Sequence, residues 1–62
     1  MAHQTLRYFE HAHLPEHLQT IAFQYAQLAQ WTDTSLPDGP EKSACLRKLL
    51  EAKDCAVRAG LG

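Results

Sequence analysis

Three histidines near the start of the chain, His11, His13 and His17, have the most obvious capacity for chemistry, because imidazole binds zinc and titrates near neutrality. Their spacing reads H-x-H-x3-H, and no cysteine stands where it would complete a four-ligand site, although Glu10 and Glu16 are neighbours. No metal and no cofactor is therefore expected, and the histidines are read as residues that cap, stack or hydrogen-bond. Cys45 and Cys55 match no zinc-knuckle pattern. On one helix they would lie about 15 Å apart along the axis, beyond disulfide reach, so reduced thiols in a cytoplasm are the expectation. Ser35 and Ser43 have no nucleophile signature around them. A non-enzyme follows.

The cations carry more information. Leu46, Leu49, Leu50, Ala56 and Val57 form an apolar stripe at helical spacing, and Lys53 falls near its centre. Two readings stay open. In one, the Lys53 stem packs while its ammonium reaches solvent at an edge. In the other, an oligomer builds a pocket in which Lys53, Arg47, Arg58 or Arg7 meets an anion, since a desolvated cation needs a partner charge. The helix start at 39–42 is a further anion candidate, weakened because Asp38 and Glu41 already occupy its positive end.

These residues must be positioned by one small all-α domain over 1–62: an arm over 1–14, extended or with a short turn, then helices over 15–34 and 40–59. Pro15 suits the first position of the first helix, where a missing N–H breaks no bond. Leu14, Leu18, Ile21, Tyr25, Leu28 and Thr32 share its inner stripe, flanked by Ala22 and Ala29. Pro37, Gly39 and Pro40 separate the helices. Asp38 as N-cap, with Glu41 three residues on, predicts the second start, and Gly60 predicts its left-handed end. So short a connection makes the helices antiparallel. Arg47, Glu51, Asp54 and Arg58 form a polar row suited to surface ion pairs.

Sixty-two residues seldom support a stable core without an added constraint, and a partner chain is the one the composition leaves. Phe23 and Trp31 project away from the inner stripe, which marks them as an oligomer contact unless the arm folds back over them. Ala52 and Cys55, with Ala44, Cys45 and Ala59, are small and would let another helix approach. A net charge of −1, from six basic and seven acidic side chains, gives no footprint for duplex nucleic acid or an anionic membrane. No apolar run approaches the roughly 18 residues of a membrane span, and the first residues lack the order of a signal peptide, so the chain is expected to be soluble and cytoplasmic.

Over 36–58 the run LPDGPEKSACLRKLLEAKDCAVR resembles the hairpin domain of phage anti-CBASS and Thoeris anti-defence proteins. In that family a proline/glycine turn precedes E-[KR]-[ST] and an L-x-x-L-x-E-A helix. Pro37, Gly39, Pro40, Glu41, Lys42, Ser43, Leu46, Leu49, Glu51 and Ala52 match here. The stretch from Tyr8 through Phe9 and His11 to Pro15 is similar to the family's F-x-Y-H-x-P segment. Helix two departs from the family, carrying Lys53, Asp54 and Cys55 where a tryptophan-asparagine pair is expected. The resemblance implies a non-catalytic sponge: a homo-oligomer, dimeric and possibly hexameric, that sequesters a cyclic di- or trinucleotide immune signal in the host bacterial cytoplasm. It implies ligand contacts from Tyr8, Phe9, His11, Arg47, Lys53 and Arg58, with Tyr8 or Phe9 stacking on a base and a cation meeting phosphate. The alternative is a structural or protein-interaction hairpin with no small-molecule ligand.

Overall fold

The computed structural model describes residues 4–62, and it contains helical elements and no strand among them. A short 3₁₀ helix, Gln4–Phe9, comes first, followed by α1, Glu16–Ser35, and α2, Pro40–Leu61. The two long helices pack against each other, and the 3₁₀ helix packs on both. The arm is thus a third helical element that returns to the hairpin. Its first three residues lie outside the described part.

Phe9 is what the return delivers. Its ring is 3% exposed and forms a cluster with Ala29 of α1 and Leu46 of α2, bordered by Leu6, Tyr25, Ala26, Leu49 and Leu50. Burying a phenylalanine contributes roughly 1.5 to 3 kcal/mol. This explains a departure from the expected inner stripe of α1. Leu18, Ala22, Ala29 and Thr32 are buried and Tyr25 is half-buried, whereas Leu28 is exposed. The α1 face serves both α2 and the arm, so its centre turns toward the alanines, whose small side chains leave room for the Phe9 ring.

The turn after the arm is closed by backbone bonds and by one side chain. Leu14 N–H donates to His11 O at 3.0 Å. The Gln19 amide donates to Leu14 O at 2.6 Å and to Ala12 O at 3.2 Å, binding the turn onto the first turns of α1. Pro15 is the cap of α1 rather than its first helical residue: its ψ of 151° is extended, and its carbonyl accepts from the Leu18 and Gln19 N–H groups.

The connection between the helices is organised by Lys42. Its ammonium donates to Asp33 O at 2.7 Å, Leu36 O at 3.3 Å and the Asp38 carboxylate at 2.7 Å, and stands 3.2 Å from the Asp33 carboxylate. Lys42 is 6% exposed. The last turn of α1 contains no basic residue, so its unpaired carbonyls and negative dipole end take their cation from α2. This also corrects the expected N-cap. Gly39 holds that position, no side chain caps the helix, and the Asp38 carboxylate accepts from Lys42 instead.

At the far end α2 runs through Gly60, where a cap was expected, and Gly62 takes the left-handed position with φ +80°. Gly60 sits where the two helices come close. A Cβ there would lie 2.5 Å from Ile21 Cδ1 and 3.1 Å from Leu18 Cδ2, so the glycine lets the end of α2 lie close on α1. The polar row of α2 is also differently engaged. Among the described residues no ion pair joins two members of the row: Asp54 pairs with Lys53 at 3.1 Å, and Arg58 donates to Cys55 Sγ at 3.4 Å.

The two carboxylates beside Lys42, Asp38 foremost, raise its pKa above the ordinary 10.5. The fold therefore favours the protonated amine, and the stability it contributes is fully present below pH 10.5 and lost as pH rises through the higher folded value. At pH 7 Lys42→Met is expected to lower the thermal midpoint by roughly 5 °C or more, against a change within about 2 °C for the exposed Lys48→Met. The Lys42→Met deficit should shrink as the melts are repeated above pH 10.5; a deficit constant with pH would exclude the charge as its source.

Candidate functional site

The arm and the facing stretch of α2 bring together part of the expected ligand set. Tyr8 is 55% exposed, and its ring is flanked by the Arg7 guanidinium, centred 5.3 Å from the ring centroid. The same guanidinium donates to the Tyr8 hydroxyl at 3.4 Å. Behind them the Lys53 ammonium donates to Tyr8 O at 3.0 Å and stands 3.1 Å from the Asp54 carboxylate. An exposed aromatic face edged by cations suits a flat anionic ligand, since rings stack on it and the cations meet the charge.

Local sequence explains each placement. In the short 3₁₀ helix, neighbouring residues point in different directions, so Phe9 turns into the core while Tyr8 turns out. Burial separates the two rings: Phe9 is 3% exposed, and Tyr8 is 55% exposed. Lys53 lies on the inner stripe as the sequence indicates, with its ammonium turned to the arm. Its side chain is 12% exposed, and it donates to the last turn of the 3₁₀ helix, whose carbonyls lack a partner within so short an element.

The remaining expected residues are dispersed. His11 Nδ1–H donates to Phe9 O at 3.3 Å and the ring sits edge-on to Phe23, with centroids 5.6 Å apart. The arm thus partly covers Phe23, and Trp31, 58% exposed, is left open. Arg47 and Arg58 are exposed, as are Ala52 and Cys55. An open groove of about 300 Å³ runs beside the arm, floored by Leu6, Phe9 and Ala26 and edged by Glu10, His11 and Gln30. A second, of about 410 Å³, lies along α2 at Ala44, Cys45 and Leu49, with Glu41 and Lys48 at its edge. Neither groove is lined by Tyr8, Arg47, Lys53 or Arg58.

Among the described residues no three histidine, cysteine, aspartate or glutamate side chains lie together as a metal set. Cys45 and Cys55 are free thiols. No helix is long and apolar enough to cross a membrane. Arg7, which the sequence offers only as one of four cations that could meet an anion, lies beside Tyr8. Compared with family models, curated proteins and solved structures, the chain matches none.

The opposite fates of Tyr8 and Phe9 are directly measurable. Phe9→Ala is expected to destabilise by about 3 to 5 kcal/mol, the cost of emptying a buried ring site. Tyr8→Ala should stay within about 0.5 kcal/mol. Urea unfolding at fixed protein concentration distinguishes them, and equal losses would contradict the assignment of one ring to the core and the other to the surface.

Proposed function

We propose that the chain binds a cyclic oligonucleotide and holds it without chemical conversion, as an assembly of helical hairpins. The observation that supports this most is the exposed Tyr8 ring with Arg7 against it and Lys53 behind it. Base stacking on such a face is worth roughly 1 to 3 kcal/mol, and each phosphodiester requires a charge-assisted donor. The resemblance of the hairpin turn and of α2 to anti-CBASS and Thoeris anti-defence proteins supplies the ligand class. It also supplies the biological setting, a phage counter-defence protein acting in the bacterial cytoplasm.

Assembly belongs to the same proposal. Arg47 and Arg58 are exposed and line neither of the two grooves, and a second copy would supply the facing wall for a pocket that uses them. Leu28, Trp31 and Leu36 are exposed apolar side chains, and with Ala52 and Cys55 they offer it a surface. That surface also favours a second reading, a hairpin that docks another protein and takes no small ligand.

Calorimetric titration with a panel of cyclic di- and trinucleotides, followed by chromatography of the recovered nucleotide, tests the proposal. Saturable binding and return of the intact ring are expected. Tyr8→Ala should weaken that binding by roughly 1 to 3 kcal/mol and Tyr8→Phe by far less. No heat across the panel would leave the docking reading in its place, and a linearised product would contradict sequestration without chemistry.

A further inference from the structure

The proposed site contains a lysine whose bonding is at odds with the role of a phosphate ligand. Lys53 is largely buried, its ammonium donates a hydrogen bond to Tyr8 O at 3.0 Å, and it forms an ion pair with Asp54 at 3.1 Å. Tyr8 O belongs to the last turn of a six-residue 3₁₀ helix that has no continuation to satisfy its carbonyls. The Asp54 carboxylate already balances the charge. A phosphate arriving at Lys53 would have to compete with both partners.

We propose that Lys53 is a positioning residue: it clamps the main chain of Tyr8 to α2, and so fixes the direction in which Arg7 and Tyr8 face the ligand, without touching the ligand itself. This rests on the binding function proposed above. The arm has attachments of two kinds. Phe9, inserted between Ala29 and Leu46, and Leu6, packed against the same cluster, set where the arm lies, while the bond from Lys53 sets the rotation of Tyr8. Arg7 and Tyr8 lie between these apolar contacts with exposed side chains, and the Lys53 bond is a polar restraint on their backbone from α2. Without it the Arg7–Tyr8 segment opens while the hairpin stays folded.

Tryptic cleavage after Arg7 reads that opening in the full-length chain, because proteolysis tracks the population of the open segment. Lys53→Met keeps the stem and removes the donor; Lys53→Arg restores a donor. Lys53→Met is expected to raise the initial cleavage rate after Arg7 by roughly 5- to 10-fold with unchanged helical circular dichroism, and Lys53→Arg to return most of it. The nucleotide that binds wild type best in the titration should lose affinity by a similar factor with Lys53→Met, and cleavage after Arg7 should slow when it is bound. Weaker binding with an unchanged cleavage rate would make Lys53 a direct contact and overturn the inference, as would an unchanged rate whatever the binding. If wild type binds no nucleotide, the binding function falls, and the clamp still stands or falls on the cleavage rates alone.

Discussion

The contact of Phe9 with Ala29 and Leu46 is the constraint on which the other features depend. Two helices of this length bury one narrow seam, and chains of this size are marginal without reinforcement. Phe9 is the largest of the buried hydrophobic side chains among the described residues, and it comes from neither helix. Its insertion turns a hairpin into a three-element core. It also fixes the neighbours on either side: Tyr8 faces outward on one, and on the other His11 lies against Phe23.

Polar groups follow the same economy, and α2 uses one device twice. Lys42 reaches the carbonyls of Asp33 and Leu36 at the end of α1, and Lys53 reaches the carbonyl of Tyr8 at the end of the 3₁₀ helix. In each case the end of a helical segment leaves carbonyls open, and a lysine from α2 arrives with donors and charge. Each lysine is also balanced by a carboxylate, Asp33 and Asp38 for one and Asp54 for the other. The lysines on the inner side of α2 are thereby engaged within the chain, whereas Arg7, Arg47 and Arg58 are exposed.

Local signals made the helical architecture legible. Pro15, the proline/glycine turn and the leucine spacing of α2 place both long helices to within two residues, and Lys53 stands out because it interrupts an apolar stripe. What the sequence did not disclose arises from contacts between distant segments. Nothing around Phe9 tells that it, and not Tyr8, will be buried, because the arm has too short a period to mark a face. The exposure of Leu28 follows from the arm's competition for the α1 surface, a tertiary effect that overrides the simple stripe. Lys42 looks like a surface residue beside Glu41 until α1 is known to end against it. Gly60 reads as a helix stop by residue type, whereas the approach of Leu18 and Ile21 gives it a different purpose.

Arm docking is the central claim, and the nuclear Overhauser contacts of the Phe9 ring protons measure it most directly in the full-length protein. The account predicts strong cross-peaks from Phe9 to the Leu46 methyls and to the Ala29 methyl, with upfield-shifted Leu46 resonances and no such peaks from the Tyr8 ring. Phe9 at random-coil shifts without contacts to α1 or α2 would contradict it. The core would then be a two-helix seam, and the Arg7–Tyr8 platform would have no support.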